Sequence, residues 1–206
     1  MTEVFELRQY TLHPGRRDEL ITLFDREFVE TQESCGMRIL GQFRDLDRPD
    51  RFGWVRSFPS MTARAAALTA FYGGPVWRAH REAANATMID TDDVLLLRPV
   101  AGDFIVDGAV RDVPPSSLVL ATIHYPAGHP DEGLLSKFGA TVLGVGETEP
   151  AENNYPALPV RSEQASVWFA SFPTESDLAE WLRAAPAPPV RTEHLRLAPT
   201  PRSLLR

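Results

Sequence analysis

From Val4 to Leu12 apolar and polar positions alternate, with Phe5 and Leu7 on one side and Glu6, Arg8 and Tyr10 on the other. Period two with aromatic and branched residues predicts a strand, and His13-Pro14-Gly15 ends it as a turn. The period then lengthens. Over 16–34, Leu20, Leu23, Phe24 and Phe28 recur at helical spacing with charge on the opposite face, and Gly36 stops the helix. Met37–Phe43 and Phe52–Phe58 read as strands, and the polar loop 45–51 between them is short enough for an antiparallel pair. Pro59-Ser60 opens a second helix through Ala-rich 63–67, Leu68 and Phe71. Gly73-Gly74 breaks it, and Pro75 suits the first position of a further helical segment running to about Ala86. Val94–Leu97 closes the series as a short apolar strand. The order is β-α-β-β-α-β, that of a ferredoxin-like unit.

The same order then recurs. Trp54-Val-Arg-Ser-Phe-Pro-Ser60 returns as Trp168-Phe-Ala-Ser-Phe-Pro-Thr174, Gly36 to Gly41 as Gly139 to Gly144, and Leu97-Arg-Pro99 as Leu197-Ala-Pro199. A repeat of about 100 residues is a whole folding unit rather than a solenoid step. Strands are expected at 118–125, 141–145, 165–172 and 193–197. The first helix of this copy is cut to 132–138, the loop 147–163 is long, acidic and Pro-bearing, and Pro186 ends a helix that Thr174 caps. The fold class expected is α+β: two ferredoxin-like halves, 1–99 and 118–206, joined by a linker at 100–117 with an extra strand at 104–106. Each half leaves one sheet face to bury, so the two sheets are expected to close an intramolecular barrel.

Composition narrows the function classes. At 206 residues, 43% hydrophobic and 24% charged, the chain is an ordinary globular one. A net charge of −7 with no basic run excludes a nucleic-acid or anionic-membrane surface as the expectation. No stretch approaches the roughly 18 apolar residues of a membrane helix, and the N-terminus shows no signal-peptide pattern. Cys35 is the single cysteine, so an intramolecular disulfide is impossible. That fits a reducing compartment, and the expected location is cytoplasmic.

The opening Phe5-Glu-Leu-Arg-Gln-Tyr10, Trp54-x-x-Ser-Phe58, and Gly74-Pro-Val-Trp77-x-x-His80-Arg-x-x-Ala-Asn85 running into Val94-Leu-Leu-Leu-Arg-Pro99 resemble the NIPSNAP family of the dimeric α+β barrel superfamily. The resemblance covers 1–99, and it reaches 118–199 only through the repeat. It implies two facing sheets, here from one chain, which makes a monomeric pseudo-dimer or a homodimer the expected state. Members of that superfamily include cofactor-independent monooxygenases, haem-degrading enzymes, cyclases and proteins without known chemistry, so the resemblance implies fold more than reaction.

His80 is the candidate acid–base residue, being near the titration range useful for proton transfer; its bland role is a rim histidine. Arg8 and Tyr10 share a strand face with Glu6. If the barrel turns that face inward, Arg8 needs a partner, and Glu6 is the near one. Tyr10 joins His80 as a catalytic candidate, with Arg8, Arg56, Trp54 and Trp77 as substrate-binding candidates. Trp54 recurs as Trp168, which favours packing. His13 and His129 lie in turns; His124 and His194 lie on or beside strands of the second copy. None of the five histidines has metal-ligand spacing, and no metal or organic cofactor is expected. A haem site would need only one histidine and stays a third reading. Asp90-Thr-Asp92-Asp93 reads as a solvated turn. Two main readings follow: an enzyme acting on an apolar small molecule (a cofactor-independent monooxygenase, cyclase or isomerase), or a non-catalytic binding or accessory protein. In either, the working pocket is expected in the first copy and its counterpart in the second is expected to have collapsed.

Overall fold

The computed structural model describes residues 3–102, 104 and 111–206. The expected strand at 104–106 falls mostly outside them. The elements run β1 (Val4–Leu12), α1 (Arg17–Leu23), a π-helical segment (Phe24–Phe28), α2 (Val29–Ser34), β2 (Arg38–Asp45), β3 (Arg51–Phe58), α3 (Met61–Tyr72), α4 (Pro75–Asn85) and β4 (Met88–Ala101). They continue with β5 (Leu118–Tyr125), α5 (Glu132–Lys137), β6 (Thr141–Thr148), β7 (Ser166–Phe172), α6 (Glu175–Ala184) and β8 (Arg191–Pro199). The helix expected over 16–34 is thus one helical run with a wide π turn inside it. Local caps follow the sequence: Ser60 Oγ accepts the Ala63 N–H at 3.1 Å, and Thr174 Oγ1 accepts that of Asp177 at 3.1 Å. β4 is much longer than 94–97. Its first residues pair with β1 as far as Leu12↔Met88, and its last reach β6 at Ala101↔Val145, so the Asp90–Asp93 run lies in a strand rather than in a turn.

All eight strands are antiparallel neighbours in one closed barrel, ordered β1-β3-β2-β8-β5-β7-β6-β4. The order is β4-β1-β3-β2 followed by β8-β5-β7-β6, the same arrangement twice. The register repeats as well: Arg8 faces Trp54 across β1 and β3, and Thr122 faces Trp168 across β5 and β7. The seams β2–β8 (Phe43↔Pro199) and β4–β6 (Leu97↔Thr148) close the ring.

The barrel interior is packed with Phe5, Leu7, Phe43, Val55, Leu95, Val119, Ile123, Phe169 and Leu197, all essentially inaccessible. A small eight-stranded barrel has room inside only for side chains, and apolar ones fill it at least cost. The inward orientation weighed for the charged face of the first strand does not occur. The face bearing Glu6, Arg8 and Tyr10 points outward, against the helices, and the alternate face enters the barrel. Two further cores lie between barrel and helices, one around Phe24, Phe28, Trp54 and Phe71, the other around Leu120, Trp168, Leu178 and Trp181. No helix among the described residues is long and apolar enough to cross a membrane.

Close approach at the β4–β6 seam requires Gly146. A Cβ there would lie 2.3 Å from Phe5 Cζ and 3.2 Å from the Arg98 carbonyl. Phe5 is buried and packs 4.4 Å from the Phe104 ring, so it has nowhere to go. Gly146→Ala is expected to lower stability by about 1–3 kcal/mol, the usual cost of overpacking. Urea unfolding would measure it, and an unchanged midpoint would mean that the seam gives way freely.

Candidate functional site

β1 and β3 carry a row of charge beneath the first helices. Glu6 is fully buried. Its Oε2 accepts from Arg8 Nη1 and from Arg56 Nε, both at 2.8 Å, and its Oε1 accepts from Arg64 Nε at 2.6 Å. Arg56 Nη1 also donates to Gln32 Oε1 at 3.0 Å. Burial pushes the Glu6 carboxyl up, but the Arg56, Arg8 and Arg64 guanidiniums outweigh it and hold the group far below the usual carboxylate range. Three guanidiniums around one carboxylate leave positive charge in excess in a low-dielectric place.

That excess borders a cavity of about 110 Å³ lined by Arg8, Tyr10, Gln32, Trp54, Trp77 and a set of Phe and Leu rings and chains. The walls are aromatic. Trp54 lies 4.8 Å from Phe24 and 5.8 Å from Tyr10, and Trp77 packs on Phe28 and Phe71. Arg8 and Tyr10 are donors on the cavity, and Gln32, Asn85 and Thr91 also line it. Arg8 Nε donates to Tyr10 Oη at 3.1 Å, leaving the phenol's own proton free. Burial, with Tyr72 nearby, raises the Tyr10 pKa despite the opposing pull of Arg8, so the phenol keeps that proton. Trp54 Nε1 is buried with no partner among the described residues.

One wall comes from the other copy. The loop 149–163 reaches across, and its Leu158 lines the cavity. Asn153 and Asn154 Oδ1 accept from Arg64 Nη1 at 3.0 and 2.9 Å, and Tyr155 stacks on Tyr72 with ring centroids 6.2 Å apart. Asn154 Nδ2 donates to the Met61 carbonyl at 2.6 Å.

Of the residues singled out in the sequence, Arg8, Tyr10, Trp54 and Trp77 meet at this cavity. Arg56 lies behind it as part of the Glu6 cluster. His80 is outside. It sits half-buried on α4, its Nε2 3.5 Å from Glu27 Oε2 and its ring beside Phe28. Arg64, Gln32, Asn153 and Asn154 were not singled out. The repeat held a signal for Arg64: counted from the matched caps Ser60 and Thr174, it stands opposite Leu178. Continuing the comparison, Glu6, Arg8 and Arg56 stand opposite Leu120, Thr122 and Ala170. The second copy therefore holds uncharged residues throughout the place where the first holds its ion cluster.

The second copy's cavity has not collapsed, contrary to expectation. It measures about 310 Å³ and is lined by Thr122, His124, Trp168, Trp181, His194 and the segment 185–190. Pro186 ends α6, but the chain beyond it arches over the sheet as a wall. Small residues such as Ala127, Gly128 and Ala187 line this space, where bulky rings narrow the first cavity. No cluster of three or more His, Cys, Asp or Glu placed to hold a metal occurs among the described residues.

Comparison with known proteins bears on the fold. The NIPSNAP family model matches residues 5–102. Two solved structures match nearly the whole chain, each a candidate monooxygenase by its description. The one from Lactobacillus acidophilus is 12% identical, covering 97% of this chain and 94% of its own, with TM-score 0.56. The one from Fusobacterium nucleatum is 8% identical, covering 96% and 92%, with TM-score 0.59. A NIPSNAP domain protein from Burkholderia xenovorans matches over 48% of this chain and 95% of its own at 17% identity, with TM-score 0.44. No curated protein sequence matches.

Proposed function

With residues 5–102 belonging to the NIPSNAP family, we propose that this chain is two ferredoxin-like units, 1–99 and 118–206, closing one barrel within a monomer, and that the first unit binds a small apolar ring compound through a negatively charged oxygen. One observation carries the reading. The first copy keeps a buried Glu6–Arg8–Arg56–Arg64 cluster where the second folds with Leu120, Thr122, Ala170 and Leu178. A buried ion cluster is weak as a stabilising device, and apolar residues serve the same fold equally well. Its excess positive charge, beside an aromatic cavity lined by the donors Arg8 and Tyr10, suits an oxyanion.

At about 110 Å³ the cavity holds one ring at most. Arg8 and Tyr10 supply the donors, and Trp54 and Trp77 with the phenylalanines supply the walls. Stabilising the conjugate base of a phenol or enol is also what a cofactor-independent monooxygenase or cyclase needs of its site. The descriptions of the two full-length structural relatives favour that as the second reading. Within it Tyr10 is the hydrogen-bond donor to the developing anion. His80, which does not line the cavity, is given no role in this reading.

The test uses 4-nitrophenol, whose ionised form is coloured. Bound beside Arg8, its apparent pKa is expected to fall by about 1–2 units, the worth of a charge-assisted hydrogen bond. Arg8→Met is expected to remove that shift while Arg56 and Arg64 still hold Glu6. A bound nitrophenol with unchanged or raised pKa would refute the oxyanion site. Oxygen uptake with phenolic and enolic compounds then separates catalysis from binding alone.

A further inference from the structure

We propose that the second cavity is a separate binding site, for an uncharged two-ring compound bearing a carbonyl oxygen. Size is the first argument. At about 310 Å³ this cavity has nearly three times the volume of the first, and an apolar cavity of roughly 150 Å³ already takes a benzene ring. Its walls are mostly apolar, from Trp168, Trp181, Leu134 and the proline segment 186–189, with the exposed His129 and Asp131 also lining it.

The polar groups decide what the ligand must offer. Trp168 Nε1 donates to His124 Nε2 at 3.1 Å. His124 Nδ1 lies 2.9 Å from Thr192 Oγ1, whose own proton goes to the Val190 carbonyl at 3.0 Å. The Thr192 oxygen must therefore accept, so His124 carries its proton on Nδ1 and has both nitrogens engaged. Protonating it would set two donors, the indole and the imidazolium, face to face. Burial and the neighbouring His129 lower its pKa in keeping with this. His124 is thus a strut that fixes Trp168 and is not available to a ligand.

His194 is the opposite case. Its Nδ1 lies 3.0 Å from Thr122 Oγ1. The Thr122 hydroxyl is fully buried and has no other acceptor among the described residues, so it donates to Nδ1. That leaves the proton of neutral His194 on Nε2, which has no partner among the described residues. Trp181, whose ring stands edge-on to that of His194 at 6.0 Å, has a buried Nε1–H that also lacks one. The Nε2–H of the exposed His194 is the donor this cavity offers, and no guanidinium lines it. Such a site selects an uncharged acceptor oxygen, unlike the first cavity with its surplus of positive charge. A donor that loses its water when the cavity fills makes the oxygen-free analogue the poorer ligand.

The four tryptophans divide two and two between the cavities, so their indole N–H resonances report which site is filled. Titrating the full chain with 1-indanone is expected to shift the Trp168 and Trp181 resonances saturably. Indane, which lacks the carbonyl, is expected to bind about five- to tenfold more weakly, the worth of one net hydrogen bond. His194→Leu is expected to weaken indanone binding and to leave indane binding nearly unchanged. The inference is overturned if only Trp54 and Trp77 respond, if neither pair responds at millimolar indanone, or if indane binds the wild-type chain as well as indanone does. The last comparison needs no variant, so a misfolded mutant cannot shelter the proposal.

Discussion

Glu6→Gln is expected to be among the most damaging single changes in the chain, lowering stability by about 3–5 kcal/mol. The substitution is nearly isosteric, so packing is not the cause. It removes the one negative charge that Arg8, Arg56 and Arg64 share and leaves three guanidiniums facing one another out of water. For a chain of this length the loss corresponds to a fall in Tm of about 6–20 °C. The second copy supplies the control. Converting Glu6, Arg8, Arg56 and Arg64 together to the residues that stand opposite them, Leu120, Thr122, Ala170 and Leu178, is expected to recover much of the loss, because it removes the charges rather than stranding them. The pH dependence has a definite sign. The folded-state pKa of Glu6 is depressed, so its contribution is complete above the ordinary carboxylate pKa of about 4.3. Below that the unfolded chain takes up the proton and the folded one does not, and the contribution drains away as the pH falls. Wild type should therefore lose stability on acidification more steeply than Glu6→Gln. Thermal unfolding of both proteins from pH 7 to pH 3 measures this, and parallel curves would show that Glu6 is not the ionised hub of the cluster.

The double variant Asn153→Ala, Asn154→Ala is expected to cost about 2–4 kcal/mol and to weaken ligand binding in the first cavity several-fold. Arg64 Nη1 loses both of its acceptors, Nη2 has none to begin with, and only the Nε bond to Glu6 remains. Hydrogen bonds to a buried charged donor are worth more than neutral ones, about 1.5–3 kcal/mol each, with part regained by water entering the gap. The asparagines also tether the loop 149–163, which brings Leu158 to the cavity and Tyr155 onto Tyr72. Freed of the tether, the loop should be cut faster by proteases at native conditions. If the variant binds 4-nitrophenol as wild type does and resists proteolysis equally, the loop is not a wall of the site. Tyr155→Ala would then separate stacking from the amide contacts.

Much of this architecture was legible in the chain. The alternation in Val4–Leu12 and Phe52–Phe58, the helical spacing of Leu20, Leu23, Phe24 and Phe28, and the return of Trp54-x-x-Ser-Phe-Pro as Trp168-x-x-Ser-Phe-Pro set element types and their double order, because period and turn chemistry are local properties. The grouping of Glu6, Arg8 and Tyr10 on one strand face was readable for the same reason. Which way that face points was not. Barrel closure decides it: the interior of eight strands admits only one of the two faces, and the apolar one of Phe5 and Leu7 goes in. Sequence spacing also could not reveal that Asn153 and Asn154 would cross from one copy to hold Arg64 in the other, some ninety residues away. His80 looked chemically apt and lies outside the cavity, since a helical residue's surroundings depend on how the helix is rotated against its neighbours. The second cavity survives a shortened α6 because the chain beyond Pro186 serves as a wall. Local physics thus determined the elements and their repetition. The site itself, being made of side chains brought together from β1, β3, α3 and a distant loop, exists only once the barrel has closed.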